Sequence, residues 1–229
     1  MKRMLPALAM LLLLAMPAAA QDIEKGVDAY QRGDYAAALA EWHPLAEQGD
    51  AYAQFFLGVM YDNGEGVPQD DAEAARWYRP AAEQGVAEAQ YNLGVMYRNG
   101  EGVPQDYAEA ARYNRMAAEQ DHAKAQHNLG VMYALGQGVP QDYGQSHTLF
   151  SLAAEQGHPA AQYALGRMYH LGEGVPQDYV LAHMWLNLAA ALGHTEAVEG
   201  RNHTAGKMTP GQIAEAQRMA REWMAKNGN

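Results

Sequence analysis

"NGEGVPQDDAEAARWYRPAAEQG", Asn63 to Gly85, is the stretch on which the fold of this chain turns. Most of it returns from Asn99, and less closely from Leu135 and Leu171. Its "GVPQD" stands at Gly66, Gly102, Gly138 and Gly174, 36 residues apart each time. "AEQG" or a close variant stands at Ala46, Ala82, Ala118 and Ala154, with "AALG" at Ala190, at the same interval. "LG-x-MY" opens at Leu57, Leu93, Leu129 and Leu165. Several markers sharing one period identify an array of equal structural units.

Each unit reads as two helices. Ala53, Leu57, Met60 and Tyr61 fall at i, i+4, i+7 and i+8, one apolar stripe, and Ala74, Trp77, Tyr78 and Ala81 repeat the pattern. The quoted loop joins them. Gly64 is placed to stop the first helix in a left-handed conformation. Gly66 adds a second permissive position, and Pro68 fixes an extended entry. Asp70 is the expected N-cap of the second helix, with Glu73 completing a capping box. Asp106 with Glu109 and Asp142 with Gln145 repeat the pair; Asp178, followed by Leu181, has the cap alone.

The glycines also raise the possibility of a phosphate loop, and that reading fails. Such a loop follows a strand and carries Lys before Ser or Thr. Here a helix precedes, and an aspartate occupies the helix start and repels an anion. The loop is a hinge. Gly58, Gly94, Gly130 and Gly166 lie mid-helix, where each costs about 1 kcal/mol relative to alanine. A glycine at one place in four copies predicts a close helix approach. Pro44 and Pro80 fall inside second helices and predict kinks.

Lys2 and Arg3, the apolar run Leu5 to Met16, and the small residues of "PAAAQD" have the anatomy of a cleaved leader, residues 1–20. Its apolar run of about 12 residues is short of the roughly 20 needed to span a bilayer. The expected location is therefore periplasmic or secreted. Cys is absent, so neither disulfides nor a lipid-modified terminus is available. The formal charge of −11 becomes −13 once Lys2 and Arg3 leave with the leader. That acidity disfavours nucleic acid and anionic membrane as partners.

The run "AEAQYNLGVMYRNGEGVPQDYAEAARYNRMAAEQ", Ala87 to Gln120, resembles the Sel1-like repeat family, relatives of the tetratricopeptide repeat. The likeness extends over repeats at 50–85, 86–121, 122–157 and 158–193. Residues 21–49 depart from it: "AYQRGDYAAALAEW" has the short Gly-Asp turn of an ordinary tetratricopeptide unit. Residues 194–229 depart too. There Thr209, Pro210 and Gln212 open a capping segment that would seal the last apolar face. The resemblance implies an all-α, right-handed superhelical solenoid of antiparallel helix pairs, first helices lining the concave side. It also implies an adaptor or regulator that binds other proteins. The expected partner is a protein or peptide in the cell envelope, bound by a monomer without cofactor and, once the leader is cleaved, without membrane insertion.

Positions that stay fixed from copy to copy answer to packing, whereas those that change are open to a partner. On the first helices the changing positions give Tyr52, Asp62, Glu88, Tyr91, Asn92 and Arg98, then Lys124, His127, Asn128, Tyr163, Arg167 and His170. In tetratricopeptide relatives the equivalent positions line a peptide groove, and Asn92 and Asn128 match amides that clamp a peptide backbone. Arg98, Lys124 and Arg167 offer charge-assisted bonds to a carboxylate. Phe55 and Phe56 are expected to pack between repeats.

Catalytic constellations are absent from the sequence. His122, His158 and His194 recur at one repeat position and His147 and His183 at another. Packed helices lie about 8–10 Å apart, which places equivalent histidines poorly for zinc ligands about 2 Å from the metal. They read instead as helix-start or surface residues. Neither serine, Ser146 or Ser151, sits in a nucleophile motif. The expectation is a non-enzymatic scaffold, set against an envelope enzyme acting on peptidoglycan or a β-lactam.

Overall fold

The computed structural model describes residues 18–227, with side chains from Ile23 onward. The expected leader lies outside the described residues except for Ala18 to Ala20. Among the described residues there are twelve helices and no strand. They form two compact units that divide between Met116 and Ala117. The first holds α1 (Ala18–Gln31), α2 (Tyr35–Glu47), α3 (Ala51–Asn63), α4 (Asp71–Glu83), α5 (Ala87–Asn99) and most of α6 (Tyr107–Ala118). The second holds α7 (Ala123–Leu135), α8 (Tyr143–Glu155), α9 (Pro159–Leu171), α10 (Tyr179–Ala191), α11 (Thr195–Ala205) and α12 (Pro210–Asn227).

Within each unit a helix packs on its successor. In the first, Trp42 of α2 stacks on Phe56 of α3 at 4.5 Å, and Tyr78, Leu93, Met96 and Tyr113 bring α4, α5 and α6 together. In the second, Phe150, Leu165 and Met168 join α8 to α9. The last helix closes that unit: Ala216 and Ala220 of α12 lie on Met184 and Leu188 of α10. Small residues let α12 approach closely, and the apolar stripe of α10 loses its contact with water.

The glycine row does what its repetition predicts. A Cβ at Gly58 would lie 2.4 Å from the Tyr78 ring, and one at Gly130 2.8 Å from the Phe150 ring. At Gly94 it would meet Asn114 Nδ2 at 2.5 Å, and at Gly166 Leu186 Cγ at 2.6 Å. Each glycine thus faces the residue twenty positions on, in the second helix of its own hairpin.

The hinge forms as expected at its start. Gly64 is left-handed at φ 68° and donates to the Met60 carbonyl. Gly66, at φ 74°, lets the loop lie on the beginning of α2, where a Cβ would come 2.7 Å from Tyr35 Cβ. Asp70 caps α4 by accepting from the backbone N–H of Ala72 and Glu73, at 2.9 and 3.0 Å. The reciprocal half of the box is a correction. The Asp70 N–H goes to the Tyr61 carbonyl, and those of Asp106, Asp142 and Asp178 go to Tyr97, Tyr133 and Tyr169. With that donor already satisfied, Glu73 and Glu109 turn outward to Arg76 and Arg112. Only where no such loop returns does a true box appear: the Thr209 N–H donates to Gln212 Oε1 at 2.8 Å, and the Gln212 N–H to Thr209 Oγ1. Helices α2 and α4 run on through Pro44 and Pro80 to Glu47 and Glu83 without ending.

Buried glutamines carry a ladder that the apolar pattern does not announce. Gln54, Gln90, Gln126 and Gln162 donate their amides to the carbonyls of Ala46, Ala82, Ala118 and Ala154, at 3.0 to 3.2 Å. Each bond ties a first helix to the end of the helix before it. Burial makes the amide bond mandatory, because an unpaired polar group there is costly.

Candidate recognition surface

In the first unit the changing positions divide between surface and packing. Tyr52 is half exposed, and Glu88, Tyr91 and Arg98 are partly so. Arg98 donates Nε to Asn99 Oδ1 at 3.3 Å. Asp62 turns inward and accepts from the Tyr78 hydroxyl at 3.1 Å. Phe56 stacks on Trp42 of the preceding unit and so joins repeats as expected, whereas the ring beside Phe55 is Tyr78 of its own hairpin.

Asn92, 7% exposed, and Asn128 of the second unit, 9%, have little surface to offer. A peptide backbone would meet only the small exposed part of each amide. They stand where Phe56 packs in the first repeat, on the side of the helix that meets its neighbour.

In the second unit Lys124 is exposed, and His127 lies between the rings of Phe150 and His158, at 5.6 and 5.0 Å. One repeat on, Tyr163 stacks on His194 at 4.4 Å, 20° from parallel. A side chain on one first helix therefore covers the N-cap of the next. His122 and His158 cap with their side chains: their Nδ1 atoms accept from the Ala125 and Ala161 N–H groups at 3.2 and 3.3 Å. Burial, then the neighbouring His127, Lys124, His122 and His194, hold the His158 imidazole down to about 4. The expectation of helix-start histidines holds at both positions. His147 instead meets the Tyr169 hydroxyl at 3.1 Å, and His183 is buried in α10.

Tyr163, Arg167 and His170 converge on a cavity of about 310 Å³ between α9 and α11. Leu171 and Leu186 supply apolar wall, and Glu199, Gly200, His203 and Thr204 supply the α11 side. The α11 residues were missed by sequence reasoning, although the period marks them. Glu199 and His203 stand 36 residues after Tyr163 and Arg167, in a segment read only as a cap.

Hydrogen bonding fixes the proton on His170. The Thr204 hydroxyl gives its one hydrogen to the Gly200 carbonyl at 2.8 Å. It must therefore accept from His170 Nδ1, 2.9 Å away. Neutral His170 then carries its lone pair on Nε2. Its proton affinity is lowered by burial first, then by His203 and Lys207. The His203 ring lies 5.2 Å from it. Arg167 is exposed, its guanidinium 6.0 Å from the centre of the Tyr163 ring. No carboxylate lies within ion-pair distance of Arg167 among the described residues.

Among the described residues no group of three His, Cys, Asp or Glu side chains could hold a metal ion. No described helix is long and apolar enough to cross a membrane.

A family model described as Sel1 repeat matches residues 51–86, 87–122, 123–158 and 159–194. The chain is 34% identical to a crystal structure of c5321, described as a protective antigen of uropathogenic Escherichia coli with an SLR fold. That match has a TM-score of 0.84 and covers 91% of this chain but 46% of the other, so this chain spans less than half of that structure's length. It is 32% identical to the crystal structure of a Sel1 repeat protein from Oxalobacter formigenes, with a TM-score of 0.75 over 90% of this chain and 86% of that one. A Sel1 repeat structure from Klebsiella pneumoniae, at 23% identity and a TM-score of 0.52, shares the fold. No curated protein sequence matches the chain.

Proposed function

This chain belongs to the Sel1 repeat family, and from that premise we propose that it holds a protein or peptide segment against the first helices of its repeats. Proteins of this family are in general protein–protein interaction scaffolds. One observation carries the reading here. The repeat-invariant Ala53, Leu57, Gly58 and Met60 are buried, while the variable position beside them presents Tyr52, Glu88 and Lys124. The scaffold is thus constant and the chemistry of its face changes from copy to copy. The leader-like residues 1–20 support a periplasmic or secreted setting for that partner.

Arg98 and Arg167 test the assignment, one in each unit. A partner segment captured by the wild-type protein is expected to bind the Arg98→Glu, Arg167→Glu protein at least about tenfold more weakly, as for interface charges elsewhere. The melting temperature should not move. Unchanged capture would remove these faces from the binding reading.

A further inference from the structure

The cavity between α9 and α11 has walls of two kinds. Tyr163, Leu171 and Leu186 are apolar, and Leu186, 1% exposed, is part of a buried cluster. Around them stand Arg167, His170 and His203, with Lys207 close enough to act on His170. Glu199 is the single acid in the lining. In a chain of net charge −11 this concentration of cationic and protonatable groups runs against the composition. Among the described residues the guanidinium lacks a carboxylate partner and the lone pair of His170 Nε2 has no hydrogen-bond partner.

We propose that this cavity receives a carboxylate carried on an apolar body, with the carboxylate between Arg167, His170 and His203 and the body against Tyr163, Leu171 and Leu186. The inference rests on, and deepens, the reading of the first-helix residues as a recognition face. Arg167 supplies a forked donor suited to two carboxylate oxygens. His170 cannot donate from Nε2 while neutral, because its one proton is held on Nδ1 by Thr204. An arriving carboxylate offsets the repulsion from His203 and Lys207, so His170 takes a proton from solvent at Nε2 and becomes a second donor. Binding is therefore accompanied by proton uptake and strengthens as pH falls toward the histidine range. Other groups facing His170 are Tyr179, whose ring lies 5.3 Å away, and Glu199 across the cavity.

Two sources present this chemistry, a free small acid and the end of a partner's chain. The probes are 3-phenylpropionate, its amide, and a short peptide ending in phenylalanine with a free or an amidated terminus. Isotherms are measured on the full chain at pH 5.5 and 7.5, with the histidine ring signals followed by NMR. The acid forms should bind at least about tenfold tighter than the amides at pH 5.5, as expected for a charge-assisted bond. They should lose about threefold or more by pH 7.5, with the His170 signals moving on binding. Arg167→Gln and His203→Gln should each weaken the acids and leave the amides and the melting temperature alone. Tighter binding of the small acid, or of the peptide terminus, supports the proposal and says which source the site serves. Equal binding of acid and amide, or binding indifferent to pH, overturns it. That result would leave the scaffold reading standing if the double arginine variant still lost its captured partner, so the two failures are separable.

Discussion

Gln156 donates its side-chain amide to Gln126 Oε1 at 2.8 Å, thirty residues back, just as Gln84 donates to Gln54 at 2.9 Å. In the last copy the donor's place is taken by Leu192, and Gln162 Oε1 is buried without a partner. Leu192→Gln should restore the bond and stabilise the protein by about 1 kcal/mol. The reverse change, Gln156→Leu, should cost about 1–2 kcal/mol by orphaning a buried acceptor. Urea titration of both variants checks the pair, and a destabilised Leu192→Gln protein would refute the account.

Gly58 and Gly94 occupy the same place in successive hairpins but face different neighbours. Tyr78 and Asn114 are both fully buried, but Gly58 meets the flat of a rigid ring whereas Gly94 meets the end of a short amide. Gly94→Leu should cost more than the typical ~1–3 kcal/mol of core enlargement. Gly58→Ala should cost more than Gly94→Ala. Thermal melts of the three variants decide it, and a Gly94→Leu protein melting like the parent would end the close-approach explanation.

Asp121 is the one described non-glycine residue at positive φ, 58°, and it stands where the other copies have Gly49, Gly85, Gly157 and Gly193. A side chain in that conformation is strained. Asp121→Gly should raise stability by about 0.5–1 kcal/mol, since the position no longer carries a Cβ in the left-handed region. Calorimetry showing no gain would mean that the 3.5 Å contact of Asp121 with Gln126 is worth as much as the strain.

Acid should loosen the second unit through His158. Its unfolded form binds a proton near pH 6.5, while the folded form resists to about 4. Between those values the unfolded chain holds more protons, so stability falls as pH drops and levels off below them. Allowing for its partial exposure, the loss from this group is about 1–2 kcal/mol. Asp50 caps α3 at the equivalent place through Tyr52 and Ala53. His158→Asp should keep the cap and flatten this part of the pH profile, as followed by melting between pH 7 and 4.

The period was enough to read the hairpins, the hinge glycines and the aspartate caps, because those features repeat and each has a local physical cause. What escaped was set by contacts beyond a single helix. The Asp70 N–H could be assigned to Glu73 until the returning loop brought the Tyr61 carbonyl to it. Asn92 and Asn128 look like surface amides along one helix, yet both are buried in the packed protein. The cavity needed α11, whose sequence departs from the repeat while its helix keeps the register.

Gly58, Gly94, Gly130 and Gly166 each leave a notch in the first helix of a hairpin. A notch that carries no side chain of its own is indifferent to the knob that enters it, and here it admits a phenol, an amide, a phenyl ring and a branched alkyl group. Hairpins of this design can therefore exchange large for small, or oily for polar, at that point without redrawing the backbone around it.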